Sequence, residues 1–161
     1  MTRFYSYLET SLGKVLLVSD GQALIGCYIQ GQKYQQSLSS NYQLEAQLPI
    51  FQRVATQLQE YLQGTRRVFT VPYHFVTGTL FQQRIWHAIT AVSYGTTISY
   101  SELAKRVAMP TSIRAVAAAV GRNPLLIIVP CQRIIGSNGS LTGYAAGLAI
   151  KSRLLNLEQV L

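Results

Sequence analysis

The pentapeptide Val129-Pro130-Cys131-Gln132-Arg133 places a thiol where it could do chemistry. Cys131 ends the most apolar run in the chain, Leu125 to Val129, and stands between a proline and a polar-then-basic pair. That setting mounts a nucleophile on a rigid edge. A free cysteine titrates near 8.5, so roughly 3% is thiolate at neutral pH unless a neighbour lowers its pKa or takes its proton. The next residue is Gln132, whose amide cannot accept a proton. A single cysteine can equally be a small buried hydrophobe, and that reading stays open at this point. The stretch beyond it, with Gly136, Gly139, Gly143 and Gly147 around Asn138 and Ser140, favours the nucleophile by supplying a turning, close-approach loop. His74 and His87 are isolated, and no base is paired with Cys131 as a cysteine hydrolase requires. Cys27 and Cys131 form no CxxC or Cys/His cluster, so neither a disulfide framework nor a metal site is expected, and no cofactor is implied.

The elements that must position this thiol are readable in outline. Gly13 to Ser19 and Ala23 to Gln30 are rich in Val, Leu, Ile and Tyr, and Ser19-Asp20-Gly21-Gln22 between them predicts a hairpin turn. Residues 4 to 7 add a third strand. Pro49 opens a helix carrying Phe51, Val54, Leu58 and Leu62, and Gly64 stops it. Residues 65 to 79 read as a connection. A helical unit follows: Phe81, Ile85, Ala88, Ile89 and Val92 share a face in a run that begins after Thr79 and ends at Tyr94-Gly95. Ser99-Tyr100-Ser101-Glu102 has a capping-box pattern. Met109-Pro110-Thr111 breaks that helix, and a second, capped by Thr111 or Ser112, runs through Ile113, Val116 and Val120 to Gly121. The pair predicts a helix-turn-helix. The outward side of its second helix carries Arg114 and then small residues, Ala115 and Ala117 to Ala119, which would let a phosphate chain approach closely. Read without further context, an alanine-rich helix packed on a neighbour fits as well. A final amphipathic helix carries Leu148, Lys151, Leu154, Leu155 and Glu158.

Composition narrows the class. A chain of 161 residues, 48% hydrophobic, can bury a core of one domain or two small ones. Net charge is +8 with only 12% charged residues, and it is uneven. Residues 1 to 77 carry six basic and four acidic side chains, residues 78 to 161 eight and two. A polyanion partner is therefore expected of the second half. No signal-peptide core follows Met1 and no apolar run approaches membrane-spanning length, so the expected location is the cytoplasm, which suits a free thiol.

From Gly78-Thr79-Leu80-Phe81-Gln82 through Glu158, about half the chain, the sequence closely resembles the O6-alkylguanine-DNA alkyltransferases, the methylated-DNA–protein-cysteine methyltransferases. The ordered motifs are Tyr94-Gly95-Thr96-Thr97-Ile98-Ser99-Tyr100, Arg114-Ala115-Val116, Gly121-Arg122-Asn123-Pro124, Val129-Pro130-Cys131 and Gly139-Ser140-Leu141-Thr142-Gly143-Tyr144. The resemblance implies an α+β fold: an N-terminal ribonuclease H-like domain of sheet plus helix over residues 1–77, and a mostly helical DNA-binding and alkyl-acceptor domain over 78–161. It implies direct-reversal DNA repair, in which a damaged guanine is flipped from duplex DNA and its O6-alkyl group passes irreversibly to a cysteine. Alkylated O4 of thymine is a further candidate substrate. Cys131 would be the acceptor and Tyr100 the proton or hydrogen-bond donor to guanine. Gln132 and Glu158 would belong to the water and proton network, and Asn123 would support the loop. Val129, Tyr144, Ala145 and Lys151 would line or order the pocket. Arg114, Ala115, Ala118, Thr79, Tyr100 and Arg122 would meet DNA on the minor-groove side, Arg114 filling the vacated stack.

The same resemblance implies a monomer, with cooperative loading on DNA as an added expectation. Two departures stand out. Gln132 occupies a position where the family normally has a proton-relaying histidine, with a bound on the ground-state loss near thirtyfold if the thiol is unperturbed. Ala146 stands where glycine is common, which would narrow the pocket for bulky adducts. The rival readings are an alkyltransferase-like module that binds alkylated DNA and flags it for other repair factors, and a helix-turn-helix regulator of undamaged DNA.

Overall fold

The computed structural model describes residues 2–107 and 112–160. Those up to Val76, together with Pro124–Ile128, form one compact unit; Thr77–Asn123 with Val129 onward form the other.

The first unit is built on a four-stranded sheet of order β3-β2-β1-β4. Strands β1 (Arg3–Thr10), β2 (Gly13–Ser19) and β3 (Leu24–Ile29) run antiparallel in sequence order, as their apolar content predicts. The β2–β3 turn follows from its side chains. Asp20 Oδ1 accepts from the amides of Gln22 and Ala23, both at 2.9 Å, and Gly21 takes φ +102, which a side chain would resist. The short β4 (Tyr42–Leu44) pairs parallel with β1, a strand absent from the sequence expectations. Helix α1 (Pro49–Leu62) begins on Pro49 and buries Phe51, Val54, Leu58 and Tyr61.

Residues 65–79 are more than a connection. Leu24 donates to Pro72 O and His74 to Leu24 O, so the segment adds to the outer edge of β3. The same edge takes 124–126: Cys27 donates to Pro124 O at 2.9 Å and Leu126 to Cys27 O at 3.0 Å. Leu125–Val129 is buried throughout, as an apolar run of that length requires.

The second unit is helical. Helix α2 (Leu80–Ile89) opens on a full capping box: Thr79 Oγ1 accepts from Gln82 N, and Gln82 Oε1 accepts from Thr79 N. It buries Ile85, Trp86 and Ile89, while Val92 packs in the turn beyond its end. Strand β5 (Ile98–Ser99) leads into α3 (Tyr100–Arg106). Only half of the expected box forms there. Ser99 Oγ accepts from Glu102 N, but the Glu102 carboxylate turns to Arg106 at 3.6 Å.

The expected break at Met109-Pro110-Thr111 lies outside the described residues. Helix α4 (Ile113–Gly121) is capped by Ser112 Oγ on the amide of Ala115, 3.0 Å, and α3 and α4 pack together. Two expectations for α4 need correction. Ile113 is 45% exposed in the first turn rather than part of the apolar face. Ala119 is buried, and its carbonyl accepts from Trp86 Nε1 at 2.8 Å, so the outward small-residue face ends at Ala118. After the 3-10 turn Cys131–Arg133, strand β6 (Ile134–Ile135) pairs parallel with β5, and α5 (Leu148–Leu157) closes the unit.

Candidate active site

The β5–β6 pairing brings the first residue of α3 and the 3-10 turn together, with Ile98 opposite Ile134 and Ser99 opposite Ile135. Tyr100 and Cys131, 31 positions apart in sequence, thereby come to one site. Pro130 sets the thiol's approach. At φ −81, ψ 63 it sits at the centre of a three-residue turn that Cys131 N closes on Val129 O at 2.8 Å. Asn123, buried beyond the end of α4, donates from Nδ2 to the same Val129 carbonyl at 2.9 Å and also hydrogen-bonds Cys131. A loop leaving a helix and a turn entering a strand are thus held by one amide.

The thiol is 3% exposed, and burial pushes its pKa up to about 11. The Asn123 contact and the charge of Lys151 act in the opposite direction but are outweighed. The expectation of roughly 3% thiolate therefore fails. With a pKa near 11, about one thiol in ten thousand is ionised at pH 7. The thirtyfold bound drawn from an unperturbed thiol rises accordingly.

Lys151 is fully buried on α5. Its ammonium donates to Ile134 O at 2.6 Å, Thr142 O at 3.0 Å and Gly143 O at 3.2 Å. Tyr100 Oη donates to the same Thr142 carbonyl at 2.8 Å, and Lys151 Nζ lies 5.8 Å from the centroid of the Tyr100 ring. Burial lowers the Lys151 pKa to about 8 and raises that of Tyr100. Gly143, at φ +60, faces Tyr100: a Cβ there would lie 3.8 Å from Oη. Tyr144 is buried and Ala145 half-buried on the same loop.

Gln132 and Glu158 meet, but in company the sequence did not announce. Gln132, fully buried, donates from Nε2 to Glu158 Oε2 at 3.2 Å. Arg133 grips that carboxylate with two bonds, Nε to Oε1 at 2.8 Å and Nη2 to Oε2 at 3.1 Å, and gives Nη1 to Val92 O at 2.7 Å. The Gly95 amide adds a bond to Oε1 at 3.2 Å. Arg133 also lies 5.7 Å from the centroid of the Tyr94 ring. Glu158 is thus an anchored anion receiving four N–H groups rather than an open acceptor. Sequence reasoning missed Arg133. Its signal was that Glu158 and Glu102 are the only acids after residue 77, and that Glu158 follows the apolar Leu154, Leu155 and Leu157. A carboxylate buried there needs a cation.

The remaining candidates belong to α4, the residue that ends it, and the start of α2. Arg114 and Ala118 are exposed on α4 and Ala115 is half-buried; Arg122 is exposed at the end of that helix. Thr79 is the cap of α2. Among the described residues no group of three or more His, Cys, Asp and Glu could hold a metal ion, and no helix is long and apolar enough to cross a membrane.

Comparison with known proteins covers both units. Residues 80–160 match the model described as the 6-O-methylguanine DNA methyltransferase DNA-binding domain, and residues 3–75 the ribonuclease-like domain of the same description. A methylated-DNA–protein-cysteine methyltransferase of Haemophilus influenzae is 38% identical over 157 residues, covering 98% of this chain and 87% of the relative. One of Methanosarcina acetivorans is 39% identical, covering 96% and 97%. Among solved structures, Mycobacterium tuberculosis OGT in complex with DNA superposes with a TM-score of 0.88 at 36% identity, covering 97% of this chain and 92% of that one.

Proposed function

The chain belongs to the 6-O-methylguanine DNA methyltransferase family, and from that premise we propose that it repairs alkylated DNA by moving a methyl group from O6 of guanine to Cys131. The observation that carries this reading is the convergence of the Cys131 thiol with Tyr100, Asn123 and Lys151 in one buried site. In the proposed step the Cys131 thiolate attacks the methyl carbon in line. The sulfur–carbon bond forms as the carbon–O6 bond breaks, and the electron pair passes to the guanine ring. Tyr100 turns its hydroxyl from Thr142 O to guanine N3 and makes the base a better leaving group. That turn strands no acceptor, because Thr142 O keeps its bond from Lys151. A thioether is not hydrolysed under cellular conditions, so each molecule acts once.

Duplex DNA carrying the damaged base is the proposed partner, met on its minor-groove side by α4. The exposed Arg114 fills the space left by the flipped base, and the small Ala115 and Ala118 allow close approach. Gln132 occupies the position where a histidine is expected. Its amide tethers it to Glu158 and offers no proton acceptor comparable to imidazole. We therefore expect transfer that is slowed, not abolished.

Single-turnover incubation with a methylated duplex, read by mass spectrometry of the Cys131 peptide, tests the reading. The expected result is a gain of one CH2 on Cys131. Tight binding with Cys131 unmodified would reject transfer and leave recognition alone. Under the same conditions Gln132→His should transfer faster; a variant no faster than the parent would remove Gln132 as the limiting feature.

A further inference from the structure

The thiol and Tyr100 meet through a very short ladder. Strands β5 and β6 pair over two residues each, Ile98 with Ile134 and Ser99 with Ile135, and Tyr100 follows directly on β5. So short a pair has few bonds with which to hold its register. A slip of one residue would move Tyr100 by about 3.3 Å relative to the thiol turn, whereas a misplacement of about 1 Å can cost a hundredfold in rate. Something beyond the ladder has to keep the two segments in step.

Arg133 reaches between them from inside the thiol turn. Its amide donates to Pro130 O at 3.0 Å and the Ile134 amide donates to Cys131 O, so it shares the 3-10 turn of the nucleophile and stands directly before β6. Its side chain extends back to the turn ahead of β5. Nη1 donates to Val92 O at 2.7 Å, and the guanidinium lies 5.7 Å from the centroid of the Tyr94 ring. Its other two bonds grip Glu158, which also accepts from the Gly95 amide at 3.2 Å, while Tyr94 Oη donates to Leu157 O at 3.3 Å. Val92, Tyr94 and Gly95 are thus tied to residues 133, 157 and 158 just before the chain enters β5. A planar fork with fixed donor directions suits this task, because it holds a carboxylate and a carbonyl at set angles where a flexible ammonium would not. The pair is deeply buried, Arg133 being 7% exposed and Glu158 2%. A buried ion pair is often no more stabilising than apolar residues of the same size, and its best-attested use is to select one registry.

We propose that Arg133 is a positioning residue: with Glu158 as its anchor it pins the register between the thiol turn and β5, and so sets Tyr100 against Cys131. Its bearing on alkyl transfer rests on the reading above, whereas the pin itself is a property of the DNA-free protein.

The test uses the double variant Arg133→Met/Glu158→Leu, which removes the pin and strands neither charge. If it does not fold, Arg133→Lys, which keeps a charge for Glu158 but not the fork, takes its place. Amide hydrogen exchange, read by peptide mass without DNA, should rise at least about tenfold over 98–100 and 134–135 while the α4 peptide stays within about threefold of the parent. An even rise across all of them would mark lost stability alone, and no rise would mark a ladder that needs no pin; either overturns the proposal. With methylated duplex the variant should transfer about ten- to a hundredfold more slowly than the parent at unchanged DNA affinity. Carbamidomethylation of Cys131 by iodoacetamide, followed by peptide mass so that Cys27 does not interfere, should not slow, because it needs no alignment with Tyr100. Transfer at the parent rate, or transfer and carbamidomethylation slowed together, overturns the proposal as well. A parent whose Cys131 stays unmodified by methylated duplex rejects the transfer reading instead, and hydrogen exchange then decides the pin by itself.

Discussion

Removing the Glu158 carboxylate should unsettle the second unit more than any other single change at the site. Glu158 is 2% exposed and Arg133 7%, so neither charge is relieved by water. Glu158→Leu would leave the Arg133 guanidinium buried with Val92 O as its hydrogen-bond acceptor and the Tyr94 ring beside it, and would remove the carboxylate that accepts from the Gly95 amide and from Gln132 Nε2. Breaking a buried pair from one side costs about 3–5 kcal/mol. For a chain of this length each kcal/mol moves Tm by roughly 2–4 °C, so the melting midpoint of the protein should fall by about 6–20 °C. Arg133→Met should cost a similar amount by stranding the carboxylate. The double variant should cost much less than the two singles together, because it leaves no uncompensated charge. Calorimetry of the four proteins closes the cycle. A Glu158→Leu midpoint within 2 °C of the parent, or costs that simply add, would refute the assignment of this pair as one interdependent unit.

Asn123→Ala removes a buried amide that holds Val129 O at 2.9 Å and also bonds Cys131. It should cost about 1–3 kcal/mol in denaturant unfolding, and because the lost contact lowers the thiol pKa, it should slow Cys131 alkylation at pH 7. Gly78→Ala places a Cβ about 2.5 Å from the Trp86 ring at φ +92. The Trp86 side chain is fixed by its bond to Ala119 O, so the strain cannot relax cheaply, and a loss of about 1–3 kcal/mol is expected in the same assay.

The fold was legible wherever a pattern ran long enough to show a period. Strands β1 to β3 and helices α1, α2 and α5 each span six residues or more. What escaped was short or remote. Strand β4 has three residues in a polar stretch, and β5 and β6 have two each, too few to display alternation. Yet the β5–β6 pair is what brings Tyr100 to Cys131. The inward turn of Ala119 was hidden for another reason: alanine carries no side-chain signal of its burial, and the partner that fixes it, Trp86, lies 33 residues away. At the site, residue types announced the thiol and the loop, whereas the grip of Arg133 on Glu158 required knowing which chain segments meet.

The raised thiol pKa bears on why a single-use nucleophile would be buried at all. Rate depends on the thiolate fraction and on the intrinsic reactivity of that thiolate. Moving the pKa from 9.0 to about 11 lowers the fraction about a hundredfold at neutral pH. Thiolate reactivity rises with basicity at a Brønsted slope near 0.4–0.5, which returns a factor of about six to ten. The net loss is thus of order tenfold, small beside what orientation against a bound methyl carbon can supply. In exchange, a thiol 3% exposed is shielded from adventitious oxidants and electrophiles. A protein that spends its acceptor once gains more from keeping it intact than from keeping it ionised. Under the proposed transfer Gln132 fits the same economy: with the thiol held protonated by burial, activation would belong to the pocket once the damaged base occupies it.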